Sequence, residues 1–503
     1  MKSKKLKFAL GFVLLTELST PFLLVGQKTA YKLIDIGTLG GPSANGPGNG
    51  PGSSLLNNAG QVAGTADTSE PDPNAPNCTN SPDCFVSHAF RWNHGNLTDL
   101  GVLSGVNWSH GNAINARGWV TGTSTNGEID PLNPCGFQPL CPQFHAVLWN
   151  GVEIIDLGTL GGLVSDASYV NDGGQVVGTS TINATPDPFS FLGAQAHAYI
   201  WKNGVMRDLG TLGGPSSGAS SGCNNQRSNL VAGGSFTDPI PIPNPSTGFP
   251  TSHAFLWENG RMTDIPTLGG TFAFAQCANN QGQVIGQSNL TGDPGCDGSD
   301  LSSCDQHAFS WDHGALTDLK TLGGTFSIAI WLNNAGESVG GATTTGDESF
   351  HATLWRDGLI TDLGTLPGDC ASVAMAINSK SQIVGESLNC DTNTSEIVLW
   401  DKGSIIDLQL RSDAFGLNIN DRGEIAGVYR PEGCDQCFHT FVLVPCNNAG
   451  VQGCDMVQPN PAAIATRAAT PTPDPQKTRE LVAKWRAHLA QRHAVLGIGR
   501  SRN

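Results

Sequence analysis

Charge is scarce in this chain. Asp, Glu, Lys and Arg together make up 14% of 503 residues, with 27 Lys and Arg against 43 Asp and Glu. From Gln27 to Cys454 the counts are 15 basic and 39 acidic, a net of −24 (15 − 39). Such a surface repels phosphate backbones and anionic headgroups, which excludes nucleic acid as a partner. Catalytic signatures are absent as well. There is no G-x-S-x-G, no phosphate-binding glycine loop and no carboxylate pair of the kind glycosidases use. Uninterrupted apolar runs are also lacking. The one candidate starts at Phe8, after Lys2, Lys4, Lys5 and Lys7, and Glu17 and Pro21 break it. That pattern predicts a cleaved signal peptide over residues 1–26, not a stable membrane span, with an uncleaved anchor as the alternative. No cysteine precedes Cys78, which argues against a lipid-modified N-terminus.

Low charge with 64 Gly and 30 Pro would suit disorder, but 38% of the residues are apolar and they recur in order, as in a β-rich, turn-rich globular protein. The 14 cysteines are even in number and mostly fall in close pairs: Cys78/Cys84, Cys135/Cys141, Cys296/Cys304, Cys434/Cys437 and Cys446/Cys454, with Cys370/Cys390 a longer one. They read as disulfide staples of loops in an oxidising compartment. Each short closure contributes about 2–2.5 kcal/mol in the chain-entropy model. Cys223 and Cys277 have no local partner. "CDQC" at Cys434 has metal-like spacing but no second Cys or His pair at zinc-finger distance, and no helical pattern follows it to suggest redox work.

One phrase recurs along the chain. "HAFRWNHGNLTDLGVLSG" starts at His88, and close variants start at His145, His197, His253, His307 and His351, with a degenerate one at His439. Each phrase leads to a segment such as "AINARGWVTGTS". The key asparagines of these segments are Asn57, Asn115, Asn171, Asn225, Asn279, Asn333, Asn378 and Asn420. Their spacings, 42 to 58 residues, indicate propellers or solenoids. Each unit holds four strand-like runs, with tight-turn chemistry (N-x-x-G and W-x-x-G) inside two hairpins. In "HAFLW" the His, Phe and Trp point one way and the Ala and Leu the other; both faces are apolar, so the strand is sandwiched between two layers. The Trp of each unit (Trp92, Trp149, Trp201, Trp257, Trp311, Trp355, Trp400) would contribute at most ~4–6 kcal/mol on burial. The run from Tyr31 lacks a "HAF" partner before it, and the run from Cys437 lacks a "DLG" partner after it. Pairing the two predicts an all-β, eight-bladed propeller over residues 31–444, closed by strand exchange between its ends, with seven blades as the alternative.

The recurring "HAFLW…G…DLGTLGG…IN..GQVVG.S" resembles the extracellular HAF-repeat family of bacteria, over about Tyr31 to Val444. The resemblance implies a secreted or surface protein and carries no established activity. "SEIVLW" at Ser395, "HTFVL" at His439 and "DLQL" at Asp407 depart from the pattern. Beyond Val444 the composition changes to a Pro/Ala/Thr-rich linker (445–476) and then to a basic amphipathic helix (477–497), which either packs on its own propeller or docks elsewhere.

Strand order puts the long insertions, and most of the stapled pairs, on one face of the ring, together with the "TLGG" crossings. Histidine at one position per unit (His88, His145, His197, His253, His307, His351, His439) suggests a metal ring at first sight. Those residues start the third strand from the axis and stand too far apart to converge on a metal, so a structural role is expected. The repeated Asp (Asp35, Asp99, Asp156, Asp208, Asp264, Asp318, Asp362, Asp407) is expected to fix a turn or pair with that His. Asp293, Asp297, Asp300 and Asp305 lie in one stapled loop. They could bind calcium, but the spacing is not that of an EF-hand, and a solvated acidic loop is the plainer expectation; no other cofactor is indicated. At the axis only His110, Asp166 and Asp369 stand out, scattered over different crossings. The expected function is a secreted non-enzymatic scaffold that binds an extracellular protein or glycan through its stapled loop face. The alternative is a polysaccharide-active hydrolase or lyase with its site at the axis.

Overall fold

The computed structural model describes residues 31–446, apart from 46–53, 55, 74–83, 104–107, 132–140, 191, 221–222, 224–228, 299–300, 302, 393, 411–414, 432 and 435–436, together with residue 480. The expected signal peptide and the basic helix (Glu480 apart) therefore lie outside the described residues, as does the linker beyond Cys446. Strand runs one residue past the expected boundary, to Pro445.

Each repeat forms a four-stranded antiparallel set in which neighbouring strands are consecutive in the chain. In chain order the sets are residues 40–101, 109–156, 165–208, 217–265, 269–318, 323–362 and 371–407, called here sets 1 to 7. Sets 4 and 5 are joined into one sheet by a single parallel pair, Ser252 with Phe272. Set 8 is built from both ends of the described chain. Its strands Phe415–Ile419, Ile425–Tyr429 and His439–Pro445 are completed by Tyr31–Asp35, which pairs in register from Tyr31 with Pro445 to Asp35 with Phe441.

The local chemistry of the repeat explains the turns. In each described N-x-x-[GS] turn the Asn Oδ1 accepts backbone N–H groups ahead of it. Asn57 takes Ala59 and Gln61 N–H, and Asn420 takes Arg422 and Glu424 N–H. This is the side-chain mimicry of a turn for which Asn is favoured. The glycine of "VVG" answers to a different demand. The first strand of each set approaches so closely that a Cβ on Gly178 or Gly286 would collide with the carbonyl of Asp166 or Phe274, and only glycine tolerates that approach.

Packing runs between sets. The two faces of the "HAF-W" strand enter different cores, as its sandwiched pattern requires. Phe255 and Trp257 pack with Tyr169, Val177 and Ile200 of set 3, while Ala254 and Leu256 pack with Ala273, Val284 and Phe309 of set 5. All seven repeated Trp side chains are buried, at 3–7% exposure. The junction between the ends is built in the same way: Ile36, Ala426 and Val442 share a core with Ala44, Phe90 and Trp92 of set 1.

Hydrogen bonds also run from set to set along the Asn row. Asn57 Nδ2 donates to Asn115 O (2.8 Å), and Asn115 Nδ2 to Asn171 O (2.9 Å). Farther along, Asn279 donates to Asn333 O, Asn333 to Asn378 O, and Asn378 to Asn420 O. Asn420 Nδ2 then donates to Asn57 O at 3.1 Å, across 363 positions of sequence. Asn225 lies outside the described residues. Among the described residues no helix is long and apolar enough to cross a membrane.

Candidate functional site

The repeated His and Asp meet within each set. His Nδ1 lies 2.8–2.9 Å from a carboxylate oxygen in His88–Asp99, His145–Asp156, His197–Asp208, His253–Asp264, His307–Asp318 and His351–Asp362. The seventh pair, His439–Asp35, joins the two ends of the described chain at 2.8 Å. "SEIVLW" places Glu396 where the other sets carry His, opposite Ser387, and among the described residues Asp407 keeps only the turn bond from Gln409 N–H. Most of these Asp also accept the N–H two residues on, from Gly101, Gly158, Gly210 and Gly364 for instance. That bond fixes the "D-L-G" bend.

Burial works to raise the Asp35 carboxyl, yet bonds from His439, Gly37 N–H and Tyr429 bring it below its usual range. The Asp35 bond in turn raises His439, against its burial. Asp318 falls to about 2: burial opposes the shift, and bonds from His307, Lys320 Nζ and Lys320 N–H overcome it. Each imidazole is thus engaged by a carboxylate of its own set.

At the inner strands the structure brings two of the three singled-out residues to neighbouring positions. His110 (strand Ser109–Ile114) and Asp166 (strand Ser165–Val170) occupy equivalent places in sets 2 and 3. Thr65 Oγ1 is 2.8 Å from His110 Nδ1, and Asn112 Nδ2 donates to Asp166 Oδ1 (3.2 Å) and to Ala167 O (2.8 Å). Burial lowers His110 to about 4. It also raises Asp166 to about 6, against the bonds from Asn112 and Ala167 N–H. Both side chains are half-buried. Asp369 is not part of this group; it belongs to the crossing into set 7 and spends its carboxyl on Ser387 and Asn389. The matching inner-strand positions of sets 5 to 7 are the buried Phe274, Ile328 and Val373. Among these matching positions only those of sets 2 and 3 carry titratable groups.

The loops opposite the tight turns form a braced wall. Three insertions, after the strands ending at Pro186, Phe236 and Leu290, meet over sets 3 to 5. Phe189 and Phe249 are edge-to-face at 5.5 Å, Phe249 and Phe272 at 5.8 Å, and Phe236 completes the cluster, with Leu301 packed against it. Gly298 N–H donates to Ser246 O at 2.9 Å, which ties the second insertion to the third. Such aromatic contacts add about 0.5–1.5 kcal/mol each beyond burial. On this brace "PIPIP" (239–243) leaves Ile240 and Ile242 73% and 71% exposed. Asp293 turns inward, accepting from Thr271 N–H, Thr271 Oγ1 and Asn289 Nδ2. Asp300 lies outside the described residues.

Disulfides join Cys296 to Cys304, Cys370 to Cys390 and Cys434 to Cys437, the local pairs read from the sequence. Cys84 and Cys446 are disulfide-bonded too; their expected partners, Cys78 and Cys454, lie outside the described residues. The expected Cys135–Cys141 staple falls there as well. Cys135 is outside, and of Cys141 only the backbone is described, at the start of the strand Cys141–Trp149 and opposite Asp130. Spacing had left Cys223 and Cys277 unassigned. They bond to each other across 54 positions, both buried, and so link the inner regions of sets 4 and 5. Several disulfides are consistent with an extracytoplasmic protein.

No family model and no curated protein matches the chain. Among solved structures, the acylaminoacyl peptidase of Pyrococcus horikoshii is similar at 11% identity and a TM-score of 0.38, over 64% of this chain and 49% of that one. A puromycin-hydrolysing peptidase of Mycobacterium tuberculosis is similar at 13% identity and TM-score 0.40, over 78% and 61%. A gluconolactonase of Xanthomonas campestris gives 10% identity and TM-score 0.25, over 50% and 78%. The chain thus spans about half to three fifths of the two peptidases. At these scores the likenesses carry no argument about activity. Strand pairing within the chain itself supplies the description of its fold: all-β, in repeated four-stranded antiparallel sheets.

Proposed function

We propose that the chain is a secreted, HAF-type repeat protein folded as a closed eight-bladed β-propeller, and that it works as a non-enzymatic scaffold that binds an extracellular protein through its loop face. Closure is supported by the Tyr31–Asp35 strand on His439–Pro445, by the His439–Asp35 pair and by the bond from Asn420 to Asn57. The observation that carries the binding reading is the wall of three interlocked insertions that holds Ile240 and Ile242 out into solvent. Loops positioned by a rigid frame are where binding surfaces concentrate. Two large aliphatic side chains held by alternating prolines have little entropy left to lose on docking. Burying both contributes about 3–4 kcal/mol, which is on the order of a hundredfold or more in affinity.

The alternative, a hydrolase at the axis, would have to use Asp166 and His110. A single experiment separates the two readings. The mature protein is screened on an extracellular-protein array, a glycan array and a hydrolase substrate panel, beside Ile240→Asp/Ile242→Asp and Asp166→Asn. The scaffold reading requires saturable protein binding that the Ile pair abolishes, with no turnover. Turnover that disappears in Asp166→Asn would overturn it.

A further inference from the structure

The N-x-x-G turns lie on the side away from the loop wall, and one of them departs from the repeat. In four turns the residue four places after the Asn is Gln (Gln61, Gln175, Gln283, Gln382), and in two it is Glu (Glu337, Glu424). Each accepts a bond from the turn's Asn Nδ2. In set 2 the position is Trp119, half-buried, and among the described residues Asn115 Nδ2 keeps only its bond across to Asn171 O. The Trp119 ring reaches the next set edge-on: a Cβ on Gly174 would sit 2.6 Å from its Cζ3. Beside it Gly173 stands where the other turns carry Ala59, Arg117, Gln281, Ala335, Lys380 or Arg422. A missing side chain next to an enlarged one opens a cleft of about 650 Å³ between sets 2 and 3, which Arg117, Trp119, Asn150, Glu153, Trp201 and Asn203 help to line.

Several polar groups around this cleft are unspent among the described residues. The Arg117 guanidinium lies over the Trp119 ring, 5.3 Å from its centroid, and donates no hydrogen bond to any described residue. Asn150 uses its Oδ1 on Val152 and Glu153 N–H, which leaves its Nδ2 free among the described residues. The Glu153 carboxylate and the Asn203 amide make no side-chain bond there either. An indole ringed by donors and acceptors of both charge signs suits a ligand with apolar C–H faces and many hydroxyls. A polyanion would meet Glu153, Asp156 and a chain of net negative charge, and a polycation would meet Arg117.

We propose that the Trp119 cleft is a binding site for a neutral oligosaccharide, separate from the loop face. The sugar stacks where the Arg117 guanidinium now rests, and Asn150, Glu153 and Asn203 bond its hydroxyls.

The test is a titration of the full-length mature protein by calorimetry with neutral hexasaccharides (cello-, xylo-, manno- and chito-hexaose) and with hexagalacturonate as the anionic probe. Trp119→Gln is the informative variant. It installs the residue that four other turns already carry, within reach of Asn115, so its melting temperature should match the parent's. The expected result is saturable binding of at least one neutral hexasaccharide, weakened at least tenfold by Trp119→Gln and unchanged by Ile240→Asp/Ile242→Asp. Three results would each overturn the proposal: no neutral hexasaccharide binds; one binds but Trp119→Gln leaves it intact; or hexagalacturonate binds in preference. Because the loop-face pair is a separate variant, failure here and failure of the scaffold reading are distinguishable.

Discussion

Asn420 is the side chain whose loss should cost the most for the fewest atoms. Its amide makes four hydrogen bonds: Nδ2 to Asn57 O (3.1 Å) and to Glu424 Oε2 (2.6 Å), and Oδ1 from Arg422 and Glu424 N–H (3.0 Å each). Asn420→Ala removes all four. The Arg422 N–H sits in an exposed residue and recovers a water. Asn57 and Glu424 are buried, so Asn57 O loses its side-chain partner and Glu424 N–H is left unpaired. Asn57 O still accepts Gly60 N–H, so Glu424 N–H is the buried backbone group left without a partner; at about 1–3 kcal/mol for that group and about 1 kcal/mol for the lost bond to Asn57 O, the loss is roughly 3 kcal/mol. For a cooperative unit of about 400 residues the unfolding entropy is roughly 0.8 kcal/mol/K, so the melting temperature falls by only about 4 °C. Calorimetry and denaturant unfolding together read both quantities. The control is Asn58→Ala, one residue along, where two exposed bonds, Nδ2 to Asp421 Oδ2 and Oδ1 from Asp421 N–H, can both be replaced by water and are worth together about 1 kcal/mol or less. Equal small losses in the two variants would refute the reasoning, because the Asn57–Asn420 contact would then bear no strain of holding the ends together.

The remaining expectations concern covalent, electrostatic and steric terms. Replacing Cys223 and Cys277 by Ala should destabilise the protein by about 4 kcal/mol, more than loss of the eight-residue Cys296–Cys304 closure at about 2.5 kcal/mol, as the chain-entropy model orders them; denaturant midpoints check this. Asp35, Asp99, Asp156, Asp208, Asp318 and Asp362 are all lowered in the folded state. Their stabilisation is present above the unfolded carboxylate value, near 4, and is lost as pH falls through the lowered folded values. The melting temperature should therefore drop steeply between about pH 4 and 2, and less so in Asp318→Asn. His439 is raised, so its contribution is full below about pH 6.5 and is lost as pH rises through the folded value; Asp35→Asn should remove that slope from the melting curve. Gly286→Ala should fail to reach native stability by at least 2 kcal/mol, since its new methyl meets the Phe274 carbonyl.

Legibility in the sequence followed how local each interaction is. Four strands per unit, the sandwiched "HAF-W" strand and most short staples could be read directly, because each is set by neighbours a few residues away. The repeated Asp is expected either to fix a turn or to pair with the His eleven residues before it, and the structure shows that the same carboxylate does both. The Asn row was visible as a repeated letter, but its bonds run to the backbone of the next unit, a contact that no pattern within one unit encodes. Cys223–Cys277 was hidden for the same reason, since its loop spans a whole repeat. Of the axial residues, His110 and Asp166 looked scattered because they are 56 positions apart, yet they hold equivalent places on adjacent inner strands. The aromatic brace escaped notice because Phe189, Phe249 and Phe272 come from different insertions and crossings. Trp119 stands in "AINARGWVTGTS" where most units carry Gln or Glu; comparing it with Gln61 and Gln175 is the sequence signal for it.

Hydrogen–deuterium exchange of the native protein tests the closure of the ring most directly. With Tyr31–Asp35 bonded along His439–Pro445 in the register described, the amides facing that partner strand should be protected nearly as long as those of Ile425–Tyr429. Free exchange of residues 31–35 within seconds, while the Ile425–Tyr429 amides stay protected, would mean that the two ends do not meet, and the account of a ring presenting one loop face would be contradicted.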